Sequence, residues 1–223
     1  MVGGIASLLM QMLHPSVLAG VWDHSNFRAD IHGRLRRTAR FIATTTYGER
    51  DDALATINRV RTIHEKVTGA LPDGTPYRAN DPELLAWVHV TETTSFLAAW
   101  IRYGDPLMPA VDQDRYFAEM ATVGHAMGVD PLPKSRAEAR AVINAMRAEL
   151  RADLRTKEIA KLILGQAEMN PSDLPRWLAM QAAVDLLPTW ALRMHKLSRS
   201  PLERPFVRAG TFGVAQTLRW AFR

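Results

Sequence analysis

Cysteine is absent from the 223 residues. That absence removes disulfides, thiolate nucleophiles, zinc ribbons, iron–sulfur ligation and covalent CxxCH haem attachment together. Any metal held by this chain must use histidine, carboxylate or tyrosine. Long apolar runs are lacking too, because no uninterrupted stretch reaches the ~20 residues a spanning helix needs. The N-terminal "MVGGIASLLMQMLHPSVLAGVW" is apolar, yet no Lys or Arg precedes its apolar stretch and His and Pro interrupt it, unlike a secretory leader. It reads as part of the fold, and a soluble, cytoplasmic protein is expected, with peripheral membrane contact left open. Also missing are HExxH, paired ExxH repeats, GxSxG and a glycine-rich phosphate loop. Zinc-protease, di-iron, hydrolase and nucleotide-binding readings are therefore unsupported.

What the chain does have is helical periodicity, while alternating β-branched runs are nearly missing, so the class is all-α. With 47% hydrophobic and 23% charged residues, residues 1–223 suffice for a single domain, a multi-helix bundle with a full core. The net charge of +5 and pI near 9.9 suit an acidic partner. The arginines are spread along the whole length, however, and no specific nucleic-acid interface is expected.

The periodicity predicts a first helical segment over residues 3–22, broken or kinked at Pro15, then helices over 30–47 and 50–68, the latter stopped by Gly69. "GALPDGTPYRAN" follows, with Asp73-Gly74 as a turn signal suited to a small β-hairpin near residues 70–79. A long helix opens after Asp81 as cap, with Pro82 in its first turn, and runs to Tyr103. Further helices are expected over 112–127, 135–154, 156–166, 175–196 and 203–222, with "NPSDLP" and "SPLERP" as separators.

In the helix expected over 50–68, which carries "RVRTIHEKV", the residues Ala53, Ile57, Val60, His64 and Val67 fall on one helical stripe. His64 thus takes a core position, with Arg61 at the stripe's edge. A buried imidazole needs a hydrogen-bond partner or a metal, since leaving it unpaired costs ~1–3 kcal/mol. Spacing alone favours a structural core histidine bonded to a carboxylate or carbonyl. In the helix expected over 30–47, which carries "GRLRRTARF", the core stripe is Ile31, Leu35, Ala39 and Ile42, with Arg34, Thr38 and Phe41 as an adjacent ridge and Arg37 one turn from Arg34. Such crowded arginines repel one another, so an anion or acidic neighbours should be close. A solvated basic face is the simpler reading; beside a pocket the ridge would hold a carboxylated group by paired hydrogen bonds. His14 and His24 do not share a helical face, and a bend at Pro15 would be needed to bring them together. His89 and Glu92 form a single i, i+3 match of the kind chance supplies in a helical chain.

Taken in order, "GGIASLLMQMLHPSVLAGVWDHSNF", "RLRRTARF", "RVRTIHEKV" and "YRANDPELLAWVHV" resemble the consecutive blocks of the DUF2236 family. This family includes the rubber oxygenase (latex clearing protein) catalytic domain and the MpaB-type oxygenases. The resemblance runs from Gly3 to about Gly128 and weakens beyond it. It implies a globin-like core and, as in the rubber oxygenases, a non-covalent haem b whose iron works with O2 on an apolar or prenyl-like small molecule. It places the axial iron ligand on His64, with Arg61 beside it as a cofactor-binding residue, and the distal or pocket side on Arg34, Arg37 and Thr38. Arg37 stands where the rubber enzyme has an iron-ligating lysine, and a guanidinium stays protonated, so that ligation is not expected. No carboxylate in "HPSVLAGVWDHSNF" matches the rubber enzyme's distal glutamate, which leaves His14 and His24 as candidates for a polar distal role. Members usually carry sequence before the first block, so a covering helix is expected to be missing here. The alternatives are a non-catalytic helical protein that binds a small apolar or acidic ligand or a protein partner, with His64 structural, and a haem-free metal site.

Overall fold

The computed structural model describes residues 1–27, 30–165, 174–198 and 202–221. Among them lie eleven helices and one two-stranded hairpin: α1 (Val2–Gln11), α2 (Pro15–His24), α3 (Ile31–Tyr47), α4 (Arg50–His64), β1 (Thr68–Ala70), β2 (Pro76–Arg78), α5 (Pro82–Tyr103), α6 (Ala110–Met127), α7 (Arg136–Met146), α8 (Leu154–Leu164), α9 (Leu174–Leu186), α10 (Thr189–His195) and α11 (Arg204–Ala221). The fold is all-α with a small hairpin, as the periodicity and the turn signal predict. Pro15 takes the first position of α2, where its missing N–H costs nothing. There the apolar N-terminal stretch breaks into α1 and α2. No single helix among the described residues is long and apolar enough to cross a membrane.

The long α5 starts where expected: Asp81 Oδ1 accepts from the Glu83 N–H at 2.9 Å, satisfying a donor the first turn leaves free. Gly128 ends α6 with φ of +88°, a left-handed conformation that glycine adopts without cost. Three boundaries depart from the periodicity. α4 stops at His64, because Thr68–Ala70 pairs antiparallel with Pro76–Arg78 and the chain must be extended before Gly69. α7 stops at Met146, and α8 has its own start, a capping box between Asp153 and Thr156. Pro188 splits the expected helix over 175–196 into α9 and α10, serving as N-cap of the second. The separators "NPSDLP" and "SPLERP" fall in part outside the described residues.

The chain groups into two compact units, each assembled from separate stretches. One comprises Met1–Leu13, Thr91–Gln113 and Arg151–Arg223. In it α9 packs against both α1 and α11, with Ile5, Leu9, Ala182, Ala183 and Val207 buried. Gly3 lets α1 approach α5 closely, because a Cβ there would lie 2.9 Å from the Phe96 Cα. The other unit comprises His14–Val90 and Asp114–Leu150. Trp87 and Phe117 are its largest fully buried side chains, and α3 pairs with α4.

Candidate functional site

The sequence-predicted site residues lie in the unit built from residues 14–90 and 114–150. The α4 stripe holds: Ile57 is buried and Ala53, Val60, His64 and Val67 are half-buried, whereas Arg59, Arg61, Ile63 and Glu65 are exposed. On α3 the expected stripe holds at Leu35 and Ile42 and fails at Ala39, and the inward face takes in the adjacent ridge as well. Arg34, Leu35, Thr38, Phe41 and Ile42 are half-buried and Ala39 is exposed; the side chain of Ile31 lies outside the described residues. The reason is Arg34, whose aliphatic stem can occupy apolar surroundings while its head stays bonded. Its Nη1 donates to Ser25 Oγ at 2.6 Å. Burial, and next the neighbouring Arg37, push its pKa below the ordinary arginine value.

His64 is the last residue of α4. Its Nδ1 is buried and has no hydrogen-bond partner among the described residues. The pKa of the ring is lowered, first by burial, against a raising effect of the adjacent Asn80 carboxamide and with a further lowering from Arg34. A neutral imidazole at neutral pH follows, and only that form offers a lone pair to a metal. Asn80 is fixed in place, because its Nδ2 donates to the Arg61 carbonyl at 3.1 Å. Arg61 itself points outward, its Nη1 donating to the Ala126 carbonyl at 3.4 Å, so it ties the end of α4 to the end of α6. Arg34, His64 and Asn80 thus come together, and Arg61 anchors the turn that holds them.

The remaining candidates stand apart. Arg37 has a side chain 70% exposed and pairs with Asp30 at 3.3 Å. Thr38 is half-buried on the same face of α3 as Arg34. His14 and His24 bracket α2, one as its N-cap and one as its last residue, so ten helical residues hold them ~15 Å apart; the bend at Pro15 does not bring them together. His14 is buried, with Nε2 3.4 Å from Glu149 and its ring 6.3 Å from that of Trp87. Its pKa is lowered because burial outweighs the opposing pull of Glu149. His24 has its Nε2 3.1 Å from the Thr68 carbonyl and meets Tyr77 edge-on, while the Tyr77 hydroxyl donates to Asp23 at 2.9 Å. These contacts dock α2 on the hairpin.

Two residues dismissed as a chance pair carry strongly shifted groups. Burial pushes the His89 pKa down to about 4 and the Glu92 carboxyl up to about 7. Gly124 lets the His89 ring pass close, since a Cβ there would meet that ring at 3.1 Å. The signal available in the sequence was position: both lie within the apolar "ELLAWVHVTETTSFLAAW", where an ionisable group is desolvated. No group of three or more His, Asp or Glu side chains able to hold a bare metal ion occurs among the described residues.

The family model described as ER-bound oxygenase mpaB/B'/Rubber oxygenase, catalytic domain, matches residues 1–220. Comparison with curated proteins and with solved structures gives no match.

Proposed function

The chain belongs to the mpaB/rubber oxygenase catalytic-domain family, and from that premise we propose that it is a haem b-dependent oxygenase acting on an apolar or prenyl-like small molecule with O2, in which His64 would hold the iron. The observation that carries this reading is the buried His64 Nδ1, without a partner among the described residues, in a ring whose pKa burial and Arg34 hold down. Buried ring nitrogens without a hydrogen-bond partner among the described residues occur at His14 and His195 as well, but each of those rings also meets a structural partner. His195 Nε2 donates to the Leu9 carbonyl at 2.8 Å, and His14 lies against Glu149.

The residues present fit the group. His64 would hold the iron, as a neutral imidazole on a half-buried helix end, and the Arg34 guanidinium would face a propionate, which a planar fork of N–H donors binds well. When bound, haem supplies the one-electron and O2 chemistry that no side chain of this composition provides. The protein's own part is positioning. Asn80, bonded to the Arg61 carbonyl, holds the α4 terminus against the start of α5 and limits the orientations open to His64. Ser25 holds Arg34 inward, which keeps the imidazole from gaining a proton. Thr38, on the Arg34 face of α3, offers a hydroxyl that can donate to an oxygen atom of a bound ligand. Arg37, exposed and paired to Asp30, does not ligate iron.

The test is expression with haem supplied, followed by absorption spectroscopy of the purified chain and of His64→Ala. A Soret band lost or displaced in the variant is expected. Oxygen uptake with isoprenoid substrates then tests turnover. The reading in which His64 is only structural draws support from the nearby Asn80 carboxamide; it expects no Soret band in either protein.

A further inference from the structure

Helix α11 turns charge inward and leaves aromatic rings outside. An ordinary surface helix directs its apolar stripe to the core and its charges to water; here Arg204 and Arg208 each donate through Nε to the buried Asp185 at 2.7 Å. Among the described side chains from Pro205 to Trp220, none that is exposed carries a charge. Large apolar groups stand there instead. Phe206, Phe212 and Trp220 are 59%, 41% and 78% exposed, and Leu202, just before the helix, is 91% exposed. At helical spacing Phe206, Ala209, Gly213 and Trp220 share one face, with Phe212 at its edge. The three rings alone leave ~400 Å² uncovered, given the ~150–250 Å² that each such side chain can bury. A patch of that size matches the largest on a typical monomer. With Leu202 and the face between, two copies brought together on it would bury ~1,000 Å², the least that a specific interface needs.

The chemistry of this face favours a second copy of the chain over a lipid surface. A helix that lies on a bilayer keeps arginine or lysine at its rim for the phosphates, whereas Arg204 and Arg208 are bonded to Asp185. A face without charge meets itself without repulsion, as a two-fold interface requires, since there each surface faces its own copy. The sizes are self-complementary too. Ala209 and Gly213 stand at equal distances in sequence from Thr211, and so do Leu202 and Trp220. An antiparallel pair crossing at Thr211 therefore sets small against small at the centre and large against large at the ends. A Cβ added at Gly213 would meet nothing within 4 Å, so the backbone there is open to close approach. We propose that the outer face of α11, from Leu202 to Trp220, is the interface of a two-fold dimer in which α11 packs antiparallel on its own copy. This face shares no residue with the His64 cluster and stands or falls independently of haem.

Sedimentation equilibrium of the 223-residue chain tests it. A mass that rises with concentration from 25.0 kDa to twice that value is expected. Ala209→Arg sets like charges against each other at the crossing and should weaken the dimer at least about tenfold, as unfavourable juxtaposition of charge does. Ala209 is exposed, so far-UV circular dichroism of this variant should stay helical. Phe206→Gln, which removes an exposed ring, should weaken the dimer in the same way. Because the chain has no cysteine, an equimolar mixture of Ala209→Cys and Gly213→Cys should cross-link on oxidation more than either variant does alone. A mass of 25.0 kDa at every concentration up to ~100 μM, or a dimer that Ala209→Arg leaves intact, overturns the interface. Cross-linking no greater in the mixture overturns the antiparallel arrangement. A monomer that floats with phosphatidylcholine–phosphatidylserine vesicles, and ceases to in Phe206→Gln, assigns the face to lipid and overturns the second copy.

Discussion

Helices α3 and α11 both present arginines inward, yet they solve the resulting electrostatic problem in different ways. On α11, Arg204 and Arg208 converge on the buried Asp185 of α9, and both bonds are 2.7 Å. A shared countercharge is supplied inside the fold, and the pair of bonds docks one helix on another. On α3, the hydrogen bond of the inward Arg34 among the described residues goes to the Ser25 hydroxyl, while Arg37 pairs with the carboxylate of Asp30 at the surface. A hydroxyl carries no countercharge. Positive charge is therefore left beside a neutral imidazole, in the surroundings that a negatively charged cofactor substituent would complete. The same residue type is structural where a carboxylate is buried with it and available where none is.

Removing the carboxylate from the first arrangement should have the largest effect. Asp185→Asn leaves three guanidinium groups without their shared countercharge, and breaking a buried ion pair of this kind costs about 3 kcal/mol, readable as a lowered midpoint in urea unfolding. The pH dependence has the same origin. Burial raises the Asp185 pKa, but Arg208 and Arg204 outweigh it and hold it below the ordinary carboxylate value. The stabilisation is thus present above the unfolded-state pKa, ~3.9, and lost as pH falls through the lower folded value. Acid unfolding curves of wild type and Asp185→Asn should converge below about pH 4; parallel curves would show that the cluster does not hold α11.

The corresponding change on α3 should alter titration more than stability. In Arg34→Met, the lost charge-assisted bond to Ser25 and the relieved burial of a charge nearly offset, leaving a change within about 1 kcal/mol. The His64 pKa should rise, since Arg34 adds to the lowering that burial causes, and an NMR titration of the imidazole protons reads this directly. An unmoved pKa would separate Arg34 from His64 and dissolve the contrast between the helices. Smallest is Arg37→Ala, where an exposed pair is removed and unfolding should shift by less than about 0.5 kcal/mol. A larger loss would mean that Arg37 does more than cover Asp30.

Much of this organisation was legible before the structure. The α4 stripe from Ala53 to Val67, the break at Pro15, the hairpin and the extent of α5 follow from periodicity and from turn and capping chemistry. The inward face of α3 is broader than its expected stripe, because a hydropathy pattern scores arginine as polar although its stem packs as an apolar chain. Arg34 was therefore assigned to the edge of a stripe it actually belongs to. Asp185 escaped notice for a related reason: one carboxylate in "AAVDLLP" looks incidental until Arg204 and Arg208, four residues apart on another helix, are seen to need it. Partners distant in sequence leave no local periodic trace. The four ordered blocks around His64 carried the family assignment, which the match over residues 1–220 bears out.

The central claim is that His64 holds a haem iron. Its most direct test is the absorption spectrum of the chain purified after expression with haem, set beside that of His64→Ala. A Soret band in the parent protein, absent or shifted in the variant while far-UV circular dichroism stays helical, is the predicted result. A band identical in both proteins, or none in either, would contradict it.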